Sequence, residues 1–180
     1  PDGGVARLRA FGKVAPDWSR YALGEVLDLA AVENGATVEA CNDMFFGPKD
    51  NLIMPGRGHN MSDGWETKRK RQLPGHDWVV VRLASPGSLK RIIIDTNNFK
   101  GNFPDRCSIE GCLAQNVPEG STPESGWVTI VPETKLMGHH QHELVSELKA
   151  RGPFSHVRLN IFPDGGVARL RVFGVREAGG

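Results

Sequence analysis

Hydrophobic residues in this chain come in short runs separated by turn-forming residues, and two such runs dominate its middle. They are residues 79–81 (Val-Val-Val) and 92–94 (Ile-Ile-Ile), each bounded by Gly, Pro, Asn or Asp. Short β-branched runs of this kind are typical of buried strands rather than of helices. The second run leads directly into a polar stretch, residues 95–102. A strand that ends in polar residues holds them on a rigid edge, so this stretch is the first candidate for a functional site.

Elsewhere apolar and polar residues alternate with a period of two, which predicts strands with one face in a core. Alternating segments lie at residues 37–42, 106–115, 127–131, 157–162 and 167–173. The last two flank a Pro-Asp-Gly-Gly turn signal and are predicted to form a hairpin. Residues 25–31 fit a short helical turn, and residues 136–148 fit either a strand or a short helix. At least seven short strands with frequent turn signals predict an all-β sandwich.

The two ends of the chain carry nearly the same twelve residues. Residues 1–12 read PDGGVARLRAFG and residues 163–174 read PDGGVARLRVFG, so eleven of the twelve positions match. A repeat at this domain-sized separation indicates a duplicated domain rather than a solenoid. We therefore expect residues 1–12 to be the tail of a preceding copy, 13–33 a linker and lead-in, 34–174 one full copy and 175–180 a tail.

Composition limits the classes of partner. The chain has 180 residues, 39% of them hydrophobic, and a net charge of +1, which predicts one domain with no nucleic-acid or membrane partner. The basic run at residues 68–71 fits a solvated or substrate-facing loop. Three cysteines, Cys41, Cys107 and Cys112, cannot all pair, so we expect reduced thiols. With no secretory signal and no membrane-length apolar run, a cytoplasmic location is expected.

Several longer motifs resemble those of the allantoicase family. They are Asn42-Asp43 followed by Phe45-Phe46-Gly47, DGWETKRKR at residues 63–71, GHDW at 75–78, DTNNFKGNFPD at 95–105 and HVRLNIFPDGGVARLRVFG at 156–174. The resemblance implies a jelly-roll β-sandwich of the galactose-binding-domain-like kind, present in two tandem copies. It also implies a hydrolase of linear amidine C–N bonds in allantoin and purine degradation, converting allantoate and water to ureidoglycolate and urea. A second repeat copy and a homo-oligomer are the partners it implies, so a single repeat could be inactive alone.

Allantoate carries one carboxylate and two ureido groups on one carbon, and this chemistry selects the candidate residues. A carboxylate is bound best by arginine, ureido N–H groups need oxygen acceptors, and hydrolysis needs a group that carries a proton. The candidate catalytic residues are Asp95, His76, Glu66 and His142. The candidate substrate-binding residues are Asn97, Lys100, Asn102, Arg69, Arg158 and Asp63.

Each candidate also has a structural alternative. Asp95 could cap the strand end, His76 could be a turn residue, and Asn97 and Asn98 suit left-handed turn geometry, so structure alone could explain one of them. Arg169 recurs at Arg7 in the repeated motif, which equally fits a role in the fold of each copy.

His139, His140 and His142 raise the question of a metal. Two of them can share one face of a strand, but no HExxH motif or cysteine pair accompanies them. We assign no metal ligands from the sequence. A divalent ion such as Mn²⁺ is still a possible cofactor, because a metal ion can act as a Lewis acid and polarise a ureido carbonyl.

Two rival functions remain open at this point, because a fold does not determine function. Jelly-roll sandwiches also serve as non-catalytic ligand-binding modules, and a family member can lose its activity. Ionisable residues converging on one loop end would favour the enzyme, whereas an aromatic platform with few ionisable groups would favour the binding module.

Overall fold

A computed structural model describes residues 2–177, so Pro1 of the first repeated motif and residues 178–180 of the expected tail lie outside the described part. Within it the regular elements are strands and short 3-10 helices. The strands are β1 (Val26–Asp28), β2 (Thr37–Cys41), β3 (Trp65–Glu66), β4 (Asp77–Asp95), β5 (Arg106–Cys112), β6 (Val128–Lys135), β7 (Gln141–Leu144), β8 (Phe154–Phe162), β9 (Gly166–Val167) and β10 (Arg169–Arg176). The 3-10 helices are Trp18–Arg20, Val32–Asn34, Lys49–Ile53 and Met61–Asp63.

The fold is built around β4. It belongs to one continuous eight-stranded sheet, and its two halves lie in the two layers of the sandwich, called here the first and the second sheet. The first half pairs with β2 and β8, and β8 continues to β5 and β6. The second half pairs with β10 and β7, and β10 continues to β1. The β8 register shifts between Arg82 and Gly87, where the strand passes from one sheet to the other. All of these pairings are antiparallel.

The core lies between the two sheets and takes alternate residues from each. From the first sheet come Val79, Val81, Leu159 and Ile161, and from the second come Ile92, Ile94, Leu170 and Val172, all fully buried. The alternating segments predicted at residues 157–162 and 167–173 therefore contribute buried core positions, Leu159 and Ile161 in β8 and Leu170 and Val172 in β10. The all-β sandwich of jelly-roll type is confirmed.

Two predictions about connectivity are wrong. The apolar runs at residues 79–81 and 92–94 belong to one 19-residue strand, not two. The predicted hairpin between residues 157–162 and 167–173 does not form, because β8 and β10 pair with opposite halves of β4. Local turn chemistry cannot reveal this, because the paired residues lie 67 to 89 positions apart in the sequence, from Gly87↔Phe154 to Gly87↔Arg176.

Three smaller outcomes concern the rest of the chain. Residues 25–31 contain the edge strand β1 instead of a helical turn, because Val26–Asp28 pair with β10. Residues 136–148 contain the strand β7 rather than a helix. Residues 2–12 have no regular secondary structure and are exposed.

The cysteine thiols are free in the part of the chain that the structure describes. Burial raises the pKa of Cys107 to about 12. No helix among residues 2–177 is long and apolar enough to span a membrane.

Candidate functional site

Three of the predicted site residues line one cleft at a loop end of the sandwich. The cleft, called here the loop-end cleft, has a volume of about 590 Å³ and contains Glu66, Arg69 and Asn102 in its lining. Its apolar walls include Phe46, Leu73 and Phe103, and Lys70, Asp105 and Asp164 add further charges. The sequence therefore predicted a set of polar residues that the fold brings together from positions 36 residues apart.

Glu66 and Asn102 are held against each other by the short sheet of β3 and β9. Glu66 lies opposite Gly166 in that sheet, and the Gly166 N–H donates to the Asn102 carbonyl at 2.8 Å. The Asn102 side-chain amide donates a short hydrogen bond to Glu66 Oε1. Gly166 is required here because a Cβ would lie 2.0 Å from the Phe99 ring. The neighbouring Trp65 is fully buried and anchors β3.

Arg69 brings an unpaired positive charge to the cleft. It is exposed, and within residues 2–177 it forms no ion pair. Lys70 instead pairs with the buried Asp77 at 2.6 Å. Asp105 pairs with Lys135 at 3.1 Å, and this contact lowers the pKa of the Asp105 carboxyl. Arg69 is therefore the cation of the cleft that is free to bind an anionic group.

Asp95, Asn97 and Asp63 lie beside the cleft, in a cluster that holds the irregular segment 54–63. Asp95 is 1% exposed and accepts from Arg57 Nε at 2.9 Å and Nη2 at 3.2 Å, which raises the pKa of Arg57. The Asn97 side chain donates to the Gly58 carbonyl at 2.9 Å. The Asp63 carboxylate accepts from the His59 N–H at 2.7 Å.

Two arginines of β10 complete this cluster. Arg169 donates to the carbonyl of Gly56 at 3.1 Å and to that of Asp63 at 2.6 Å, and Arg171 also donates to Gly56, at 2.9 Å. Burial lowers the pKa of Arg169. We call Asp95, Asn97, Arg169 and Arg171 the loop clamp. Asp95 is engaged with the Arg57 side chain, and Asn97, Arg169 and Arg171 donate to backbone carbonyls of the segment they hold, whereas the buried Arg171 Nη1 has no hydrogen-bond partner among residues 2–177.

His142 and Lys100 also lie outside the lining of the cleft. The Met137 N–H donates to His142 Nε2 at 2.9 Å, and His142 Nδ1 lies 3.2 Å from the Ile94 carbonyl, so both ring nitrogens face backbone groups. Burial lowers the pKa of His142. Lys100 is exposed, and no ion pair involves it among residues 2–177.

His76 and Arg158 lie together in a second concavity, called here the outer-face groove, on the solvent side of β5 and β8. The groove has a volume of about 660 Å³. Arg158 Nε donates to Glu110 Oε2 at 2.7 Å, Asn160 donates to the same oxygen at 2.9 Å, and the Arg158 guanidinium lies 4.6 Å from the Trp127 ring centre. His76 lies at the end of the groove, its ring 5.2 Å from that of Phe162.

Comparison with known proteins decides the family. A family model described as the allantoicase repeat matches residues 27–177. The chain belongs to the allantoicase family. Allantoicase of Dictyostelium discoideum is 54% identical over 174 residues, which cover 96% of this chain and 47% of that protein. A probable allantoicase of Burkholderia pseudomallei is 51% identical over 97% of this chain and 52% of its own length.

Solved structures agree with this assignment. A crystal structure of allantoicase from Saccharomyces cerevisiae superposes with a TM-score of 0.78 at 44% identity, over 97% of this chain and 49% of that one. A family 32 carbohydrate-binding module from C. perfringens superposes with a TM-score of 0.54 at 14% identity, over 77% of this chain and 93% of that one, which shows the shared galactose-binding-like fold alone. This chain thus spans about half the length of the allantoicases it matches.

Sequence reasoning missed two acidic residues that shape the loop-end cleft of this allantoicase repeat. Asp164, read only as part of a turn, accepts from the Lys70 N–H at 2.7 Å. Asp77, read only as flanking a strand, is fully buried and holds the Lys70 ammonium. One signal in the sequence could have identified Asp164: it recurs as Asp2 in the repeated motif.

The histidines at 139, 140 and 142 are the candidate metal ligands of this allantoicase repeat. No group of three His, Cys, Asp or Glu side chains among residues 2–177 is placed to hold a metal ion. His139 Nδ1 accepts from the Asn98 N–H at 2.9 Å, and His142 is engaged as described above. The histidine cluster therefore does not fit a metal site in the described part of the chain.

Proposed function

We propose that this chain is one repeat of an enzyme that hydrolyses allantoate to ureidoglycolate and urea, a reaction of allantoin degradation. The observation that carries the proposal is the loop-end cleft, in which Glu66, Asn102 and the unpaired Arg69 line one cavity of about 590 Å³. Relatives near 50% identity that are named as allantoicase or probable allantoicase support it. The enzyme would be a hydrolase acting on the C–N bonds of a linear amidine.

The cleft offers a partner for each functional group of allantoate. The Arg69 guanidinium can take the substrate carboxylate through two parallel hydrogen bonds. The second oxygen of Glu66 and the side-chain oxygen of Asn102 can accept ureido N–H groups, because only Glu66 Oε1 and the Asn102 amide nitrogen are used between them. The apolar walls at Phe46 and Phe103 reduce the water around these contacts.

Glu66 is our proposed proton carrier. As a water oxygen bonds to the central carbon, the bond from that carbon to one ureido nitrogen breaks. The Glu66 carboxylate takes a proton from the water and returns it to the departing nitrogen, so urea leaves neutral and ureidoglycolate keeps the carboxylate. Asn102 holds Glu66 in place through its amide.

The other candidates receive supporting roles in this proposal. His76 lies beside Arg69 in the lining of an adjoining hollow and is a second candidate proton carrier. Asp95, Asn97 and Asp63 act through the segment 54–63, whose Met61 Sδ lies 3.8 Å from the Asn102 amide. Arg158, Lys100 and His142 have no place in the proposed chemical step.

We further propose that the working protein contains a second repeat copy and forms a homo-oligomer. Support comes from the half-length coverage of the relatives and from the repeated motif at residues 1–12 and 163–174. The activity of one repeat alone is therefore part of the question and has to be measured.

The test is urea release from allantoate by the purified chain and by a two-repeat protein that contains it. Glu66→Gln should abolish release, and Glu124→Gln, which removes an exposed carboxylate outside the cleft, should leave it unchanged. Chelator and Mn²⁺ are tested in parallel, and loss of release that Mn²⁺ restores would assign a metal to the enzyme. Folded two-repeat protein that releases no urea would overturn the proposal.

A non-catalytic binding module is the second candidate, and the outer-face groove favours it. Trp78, Phe162 and Trp127 lie in or against this groove beside Arg158 and Glu110. Allantoate binding without turnover by the two-repeat protein, lost in Arg158→Ala and kept in Glu66→Gln, would select this alternative.

A further inference from the structure

The basic run at residues 68–71 forms a concavity of its own, distinct from the loop-end cleft. It has a volume of about 710 Å³, and we call it the cationic hollow. Its lining residues are Lys68, Arg69, Lys70, Arg71, Gln72, Gly75 and His76. They include four cations and no carboxylate.

The backbone of this run is fixed at several points. The Thr67 N–H donates to the Gly165 carbonyl at 3.1 Å, the Lys68 N–H to Asp43 Oδ1 at 3.0 Å and the Lys70 N–H to Asp164 Oδ2 at 2.7 Å. The Lys70 ammonium is tied to the buried Asp77 at 2.6 Å. These contacts hold the backbone at Thr67, Lys68 and Lys70 in the absence of a ligand, so this part of the run is preorganised.

Most of the charge in the cationic hollow is uncompensated. Only Lys70 has an ion-pair partner, whereas Arg69 and Arg71 form no ion pair with any residue between 2 and 177. Lys68 lies over the Phe45 ring at 5.3 Å, a contact that leaves its charge in place. Three like charges on a fixed backbone repel one another, and an anion between them relieves that repulsion.

We propose that the cationic hollow binds a small multivalent oxyanion, with Arg69 and Arg71 as its main ligands. Guanidinium groups match oxyanions through paired hydrogen bonds, and more than one cation favours a multiply charged anion. Arg69 lines both the hollow and the loop-end cleft. An anion in the hollow therefore competes with an anionic substrate for Arg69, an effect that rests on the function proposed above.

The binding test is calorimetry of the chain with inorganic phosphate and pyrophosphate at constant ionic strength. Arg71→Gln should weaken phosphate binding about tenfold or more. Lys90→Gln removes the same charge from an exposed site on β4 and should not change it. Absence of binding up to about 10 mM, or equal weakening in both variants, would overturn the proposal.

The coupling test needs an active protein and is therefore kept separate. In the two-repeat enzyme, phosphate should raise the KM for allantoate at constant ionic strength, and Arg71→Gln should reduce this inhibition. An unchanged KM alongside measured phosphate binding would refute the competition at Arg69. Phosphate binding by a protein that releases no urea would support the hollow and count only against the enzymatic function.

Discussion

The loop clamp and the loop-end cleft are neighbouring polar clusters that use similar residue types in opposite ways. In the loop clamp, Asp95 is 1% and Arg169 6% exposed, and their charged groups are bonded to Arg57 or to backbone carbonyls. In the loop-end cleft, Arg69 is unpaired among residues 2–177, and Glu66 is held by one neutral amide. A buried polar group with its partners satisfied stabilises the fold, whereas a partly satisfied one at a cavity remains available to a ligand.

This difference shows that residue type alone does not distinguish residues that bind a ligand from residues that stabilise the fold. Asp95 is the last residue of β4 and Glu66 is the last residue of β3, and each follows a fully buried apolar residue. What distinguishes them is Arg57, which reaches Asp95 from 38 positions away. The two clusters should therefore respond differently to mutation, one in stability and the other in substrate handling.

The largest expected effect comes from breaking the loop clamp at Arg169. Arg169→Met should lower the free energy of unfolding by about 2–4 kcal/mol, because the buried Arg169 guanidinium is the charged donor to the carbonyls of Gly56 and Asp63 and these hydrogen bonds are lost. Guanidinium denaturation monitored by circular dichroism measures this loss. Arg71→Gln, at an exposed arginine without an ion pair in the described part of the chain, is the matched control and should change stability by less than about 0.5 kcal/mol. Equal stability of the two variants would contradict the assignment of the clamp.

Removing the unpaired Arg69 from the cleft should have a smaller effect, on substrate binding and not on stability. Arg69→Ala should raise the KM for allantoate roughly tenfold or more with little change in stability, since Arg69 supports no other residue in the described structure. Arg69→Lys keeps the positive charge but cannot form the bidentate hydrogen bonds of a guanidinium. Its KM for allantoate should therefore lie between those of the unchanged enzyme and Arg69→Ala. Steady-state urea release by the two-repeat enzyme gives these values. A variant that lost stability and kept its KM would place Arg69 in the fold rather than in the site.

Much of the fold was predictable because it depends on local patterns. Period-two alternation located β2, β5, β8 and β10 and picked out core residues within them, as Leu159 and Leu170 illustrate. The hairpin prediction failed because strand pairing is a long-range property: β4 spans both sheets and separates β8 from β10. No local signal records that a strand changes neighbours half-way along its length.

The residue types of the candidate site could be predicted from the sequence, but only some of the individual residues that line the cleft could. Glu66, Arg69 and Asn102 were selected and line one cleft, whereas Asp95, Asn97 and His142 were selected with equal reason and are engaged with backbone groups or Arg57. The missed Asp77 and Asp164 act on Lys70, from 7 and 94 positions away. Such partners become visible only when the chain is folded.

The smallest expected effect is a pH dependence on the clamp side of this comparison. His142 lies opposite Ile94, next to Asp95, and burial lowers its pKa below the usual 6.5. A lowered histidine pKa means that the unfolded chain binds the proton more readily, so stability is complete above about pH 6.5 and declines as the pH falls through the folded pKa. The other buried histidine, His156, has a lowered pKa for the same reason and adds to the decline.

Replacing His142 isolates its share of this decline. His142→Asn can still donate to the Ile94 carbonyl but does not titrate, so the unfolding free energy of the variant should fall less than that of the unchanged chain between about pH 7 and pH 5. His59→Asn, at an exposed histidine whose contact to Asp63 uses only its backbone, is the control and should keep the original slope. If the unfolding free energy of His142→Asn fell with pH as steeply as that of the unchanged chain, His142 would bind protons equally in the folded and unfolded states. The acid sensitivity would then belong to His156, whose pKa is also lowered by burial.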